Sequence, residues 1–194
     1  MKTSKHITLL IVALMLTLSA WSQDSFKPQA TVMTVTGSST LHEWTSEVDQ
    51  VAWTGTVTLN GDRQLETKNL VITIPVKSIR SSHGKMMDNK TYEAFKHDKN
   101  PNIIYKVNDQ HTKAIANDTQ VEITGTLTMA GVSKVMPLLV KIKTLPNGNV
   151  VITGSRKLNM VEFKMDPPTA MMGTINVGEE VTVNFESTLT PNKI

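Results

Sequence analysis

The feature that most constrains this chain is a two-residue hydrophobic period that returns in segment after segment. Val51, Trp53, Gly55, Val57 and Leu59 alternate with Ala52, Thr54, Thr56 and Thr58, and the run ends in the turn pair Asn60-Gly61. Leu70, Ile72, Ile74 and Val76 repeat the pattern, as do Ile103, Tyr105 and Val107, and then Val121, Ile123, Gly125, Leu127 and Met129. Leu138, Val140 and Ile142 follow, and Val181, Val183, Phe185 and Leu189 close the series. Successive side chains of a strand point to opposite faces, so each run predicts a strand with one buried and one wetted face. Strands of that kind pair antiparallel, because parallel sheets are covered on both faces and read as unbroken apolar runs. The stretches TVMTVTG and SSTLHEW, and residues 150–155 and 158–163, supply the remaining strand candidates.

About eight short strands separated by turn residues predict an all-β fold, and we read it as an antiparallel barrel rather than a sandwich. An eight-stranded barrel has room inside for side chains or for one slender ligand. TGTVTLNG at 54–61 and TGTLTMAG at 124–131 echo one another, and the glycine within each predicts a strand bend. Pro75 predicts that its strand lies near an edge or a bulge, since proline cannot donate to the ladder. An outer-membrane barrel would wear aromatic girdles, whereas this chain is only 5% aromatic.

One stretch breaks the period. Residues 78–105, SIRSSHGKMMDNKTYEAFKHDKNPNIIY, contain the only helical pattern after the leader. Asp88 or Asn89 is placed to cap a helix start, and Asn100-Pro101 to end it, which predicts a helix over about residues 89–97. Tyr92 and Phe95 then share an apolar face, with Met86 and Met87 just ahead of them. The reading is a short helical lid whose apolar face closes the barrel mouth.

The first 22 residues predict a secretory signal peptide: Lys2 and Lys5, a 12-residue apolar run at 7–18, and small residues Ala20 and Ser22 ahead of a cut before Gln23. That run is short of the ~20 residues a spanning helix needs. The expected domain is therefore 23–194, in the periplasm or secreted. Loss of the leader lowers the formal charge from +3 to +1 by removing two lysines, and the remaining basic residues are dispersed. No nucleic-acid partner is expected. With no cysteine, the chain has no disulfide and no thiol chemistry.

GSSTLHEW, MMDNKTYEAFKHDKNPNIIY, GTLTMAGVSKVMPLLVKI and VGEEVTVNFE, in this order and spacing, resemble the YceI-like family of exported lipid-binding proteins over about residues 31–189. The resemblance implies an extended lipocalin-like antiparallel barrel in a bacterial periplasm, holding a polyisoprenoid chain such as an isoprenoid quinone or a polyprenyl phosphate. No other cofactor is implied. The lid departs from the commoner family pattern at Met86, Met87 and Tyr92.

Methionines cluster at Met86-Met87, at Met160 and Met165, and at Met171-Met172. Unbranched, polarizable side chains suit the wall of a tunnel for a flexible tail, and equally suit gap-filling in a core. The expected tunnel and lid residues are Trp44, Trp53, Met86, Met87, Tyr92, Phe95, Met160, Phe163, Met171 and Met172, with the tryptophans read as lining or as plain core. No catalytic or metal site is expected. His42-Glu43 opens like HExxH, but Ser46 stands where the second histidine belongs, and no G-x-S-x-G elbow is present. Lysines 85, 90, 96 and 99 interleave with acids, the pattern of a solvated face. The function expected is non-enzymatic carriage or sequestration of an apolar lipid, with transient membrane contact. The alternatives are a packed barrel that binds a protein partner, and an enzyme of isoprenoid metabolism. The oligomeric state is left open, a homodimer included.

Overall fold

A computed structural model of the chain describes residues 24–60, 64–108, 110–114 and 118–192. The predicted signal peptide, the glycine of the Asn60-Gly61 turn and most of the loop before Asp118 lie outside the described residues. Among those described there are twelve strands and one α-helix. The chain runs β1 (Asp24–Ser39), β2 (Glu43–Val48), β3 (Ala52–Leu59), β4 (Gln64–Pro75), β5 (Ile79–Ser81) and helix α1 (Lys85–Ala94). It continues through β6 (Asn102–Val107), β7 (Gln110–Ala114), β8 (Thr119–Met129), β9 (Val132–Thr144), β10 (Val150–Asn159), β11 (Thr169–Ala170) and β12 (Ile175–Pro191).

Eight of these strands close into an antiparallel barrel in the order β1-β3-β4-β6-β8-β9-β10-β12, and β12 pairs back onto β1 from Phe26↔Pro191 to Ser39↔Val177. The two-residue period sets which row faces in: Ile123, Leu127 and Met129 on β8, Met136, Val140 and Ile142 on β9, and Val181 and Leu189 on β12 are all buried. The remaining strands lengthen the wall. β1 pairs with β3 only at Asp24–Phe26 and with β2 at Thr34–Ser38, so β2 and then β5 continue the sheet where β3 has ended. The lengthened end, where β1 stops and β12 starts, we term the upper end.

Several expectations change. Residues 24–29, ahead of the first strand candidate in the sequence, belong to β1, because Phe26 pairs with Val57 on one side and Pro191 on the other. Residues 150–163 form one strand and then a 3-10 turn at Val161–Phe163, not two strands. Pro75 sits at the end of β4, an interior strand, where it leads into the 3-10 turn at Val76–Ser78. Gly55 is at a bend as expected: its φ is +93°, and the β3–β4 register slips beside it, opposite Asn69, itself left-handed at φ 50°. Gly125 is not at a bend, for the β8–β9 ladder runs past it without a shift.

The helix begins four residues earlier than predicted. Gly84 leads into it without a side-chain cap. Asp88 lies in the first turn, where its buried carboxylate accepts from the Ser81 N–H at 2.7 Å and from Arg80 Nη1 at 3.4 Å, tying the helix to β5. The helix ends before Pro101 matters, because Lys96 turns left-handed at φ 52°. The Lys96 N–H then donates to the Glu93 carbonyl and the His97 N–H to that of Tyr92, a Schellman end.

Candidate functional site

The upper part of the barrel encloses a cavity of about 480 Å³ with an almost wholly apolar wall. That is one small ligand's worth of space, within the roughly 300–1,000 Å³ of small-molecule sites. Eight of the nine methionines beyond residue 23 line it. Three of these, Met33, Met129 and Met136, come from strand rows that a search for methionine clusters passes over. Their signal is register, since each lies on a row whose neighbours are inward.

Three aromatic rings line the cavity in the same way. Trp44 lies against Gly37, Tyr105 against Gly125 and Phe185 against Gly154, each across from the glycine on the neighbouring strand or one diagonal step away. A Cβ on any of these glycines would come within 2.5–2.6 Å of a ring atom. The missing side chain lets the ring lie down on the wall instead of standing into the lumen, which pins the register and keeps the bore open. The Tyr105 hydroxyl donates to the Met136 carbonyl at 2.8 Å, with that of Ile123 at 3.1 Å. Burial pushes this phenol up to about 12, against the opposing charge of Arg156.

The residues singled out from the sequence divide. Trp44 and Trp53 line the cavity from the strands, Met86, Met87 and Phe95 from the helix and its end, and Met160 and Met171 from the segments above β10 and β11. The tryptophans are lining and only partly buried. Tyr92 turns away. With the helix running from Lys85, Met87, Thr91 and Ala94 form the face toward the cavity, whereas Asp88 and Tyr92, one turn apart, face β5. The Tyr92 hydroxyl accepts from Arg80 Nη1 at 3.0 Å and donates toward the Lys77 and Ile79 carbonyls. Burial raises its pKa, against the nearby Arg80 charge. Phe163 is a structural plug, 1% exposed beneath Lys134 and off the cavity, and Met172 points into solvent.

The mouth is rimmed by apolar side chains that remain exposed: Leu41 at 67%, Met86 at 67% and Met171 at 71%. Beside them the rings of His42 and His83 stack at 4.8 Å. Within the wall, polar groups are few. Ser187 is satisfied by Thr31 at 3.0 Å, whereas the Trp53 indole N–H is the one buried side-chain polar atom without a partner among the described residues. Arg156 also lines the cavity, from the inward row of β10, and was not foreseen.

A family model described as the YceI-like domain matches residues 21–189. No curated protein sequence matches the chain. Among solved structures, Burkholderia cenocepacia BcnA is similar with a TM-score of 0.65 at 14% identity, over 82% of this chain and 96% of that one. A polyisoprenoid binding domain from Saccharophagus degradans, implicated in plant cell wall breakdown, gives 0.63 at 12% identity, over 88% and 99%. A Campylobacter jejuni YceI protein gives 0.57 at 20% identity, over 77% and 85%.

Proposed function

Because the chain belongs to the YceI-like family, we propose that it is an exported, non-enzymatic carrier that holds the apolar chain of a lipid, of polyisoprenoid type, in the upper cavity. The single observation that carries the reading is the cavity itself: an apolar lumen in a barrel whose lower half is solid, walled by methionines and laid-down rings and open at an apolar rim. The Saccharophagus degradans domain, similar in fold, is described as binding polyisoprenoids, which supports the same ligand class here. The pattern of residues 1–22 supports export, and a periplasmic protein would begin at Gln23.

The energetics favour carriage between hydrocarbon phases. At about 0.8 kcal/mol per CH₂, a chain of about twenty carbons gains about 16 kcal/mol on leaving water, close to the practical limit of non-covalent affinity. A lipid leaving a bilayer gains almost none of this, because lipid tails are as apolar as the barrel wall. Uptake from a membrane is then near neutral, and selection falls to the mouth, the bore and any polar contact in the wall.

The test is the mass spectrum of an organic extract of the protein purified from its native envelope. A stoichiometric long-chain lipid is expected. An extract free of lipid, with a protein that takes up no added lipid, would leave the packed partner-binding barrel in its place.

A further inference from the structure

The inward row of β10 reads Val150, Ile152, Gly154, Arg156, Leu158. Val150, Ile152 and Leu158 are buried, Gly154 receives the Phe185 ring, and Arg156 alone puts a charge on the row. Its rung partner, Val183, lines the cavity too. The wall changes at this height. The β9–β10 ladder ends at Gly154↔Val140, whereas β9 continues upward on β8 and β10 continues upward on β12. Arg156 is thus the first inward residue above the last rung, where the two strands part.

The segment closing over that parting supplies no partner for it. Glu162 is held by Lys134 at 2.8 Å, and that hydrogen bond, more than the Arg156 charge, lowers its pKa. The Tyr105 hydroxyl is committed to backbone carbonyls. The contrast with Arg80 is direct: it sits 3.4 Å from both Asp49 and Asp88, whereas no carboxylate among the described residues pairs with Arg156. Arg156 is exposed where it lines the cavity, so its guanidinium, five donors in a planar fork that matches a carboxylate or a phosphate, is accessible to a ligand's head.

We propose that Arg156 seats the ligand's head, an oxyanion such as a phosphate or a carboxylate, at the parting of β9 and β10, with the tail running among the methionines of the upper cavity. This rests on the carrier reading and sharpens it, for it selects anionic lipids over neutral ones such as quinones or alcohols. The head is then read at the parting of β9 and β10, and the apolar rim serves for entry of the tail.

Dodecyl phosphate, dodecanoate and dodecanol share one tail and differ only at the head. Titrated into delipidated mature protein, at least one of the anions should bind about ten- to a hundredfold more tightly than the alcohol, the worth of one charge-assisted contact. A gain for phosphate alone, for carboxylate alone or for both supports the seat and identifies its preference. Arg156→Met should bring the anions to the affinity that the same variant shows for the alcohol, while Arg156→Lys keeps part of the preference. Arg156→Gln, with melting curves of all variants, guards against a folding artefact. Equal binding of all three probes by the wild type, or an anion preference that survives Arg156→Met and Arg156→Gln, overturns the seat and leaves the carrier standing. Failure of every probe, dodecanol included, overturns the carrier reading itself.

Discussion

The lower and upper halves of this barrel share their strands but not their chemistry. Below, the inward positions are Val57, Leu65, Val107, Ile142, Val150 and Leu189, aliphatic and buried at 4% exposure or less, and none of them borders the cavity. Above, the same rows turn to Met33, Trp53, Met129, Met136, Met160 and Phe185, all of which do. The switch happens within single strands: β9 passes from Met136 to Ile142, and β12 from Phe185 to Leu189. Branched side chains with few rotamers fill the taper and fix the fold, whereas thioethers and laid-down rings leave a bore with a soft wall. Stability should therefore reside below and binding above.

The largest effect follows from placing a charge in each half. Val57→Asp buries an unpaired carboxylate in the solid half and should cost about 4 kcal/mol or more, enough to unfold a marginal domain. Val183→Asp, on the same kind of row but facing the cavity, should cost clearly less, because water can reach it and Arg156 is its rung partner. Urea denaturation of the two variants decides it, and equal losses would erase the distinction between the halves.

Next in size is the glycine that supports a ring. Gly154→Ala puts a methyl group 2.5 Å from the Phe185 ring and should cost about 1–3 kcal/mol by overpacking, while pushing the ring into the bore. Combined with Phe185→Leu, the loss should shrink by at least half. A double variant no more stable than Gly154→Ala would show that ring and glycine are not coupled, and lipid uptake should fall in the single variant and recover in the double.

A smaller effect is expected with pH. The folded state holds Tyr105 at about 12, above the ordinary phenol value of about 10, so the unfolded chain loses this proton first. Its contribution is complete below about pH 10 and is lost as pH rises through about 12. Tyr105→Phe should flatten that alkaline limb of the stability curve without abolishing it, since burial also raises Tyr92. Denaturation midpoints between pH 8 and 11.5 measure the change, and an unaltered slope would contradict the buried phenol.

The rows were legible in the sequence because a period of two survives any tertiary context, and closure into a barrel followed from their number and spacing. What was not legible depended on neighbours from distant strands. TGTVTLNG and TGTLTMAG look alike, yet Gly55 answers to the Asn69 backbone at a bulge and Gly125 to the Tyr105 ring at a close approach. Asp88 reads as a helix cap, but the Ser81 N–H and Arg80 claim its carboxylate, and the helix starts earlier. That shift moved Tyr92 off the face that Met87 occupies. Arg156 was hidden by dividing β10 in two, for its inward phase appears only when the strand is counted unbroken from Val150.

The smallest stability effect, and the sharpest test of the division, lies at the rim. Met86 is 67% exposed and Met87 faces the cavity at the first turn of α1, away from the Asp88 and Tyr92 contacts that anchor the helix. A double Met86→Asp, Met87→Asp variant should therefore melt within about 1 kcal/mol of wild type, since surface changes away from packing and hydrogen-bond networks have small effects. It places two carboxylates at the apolar mouth, however, and every lipid that enters or leaves must pass them. The bound state should exchange faster with added vesicles, and anionic ligands should suffer most through like-charge repulsion. If the variant keeps its lipid as wild type does, the mouth is elsewhere, and the parting of β9 and β10 becomes the route to test.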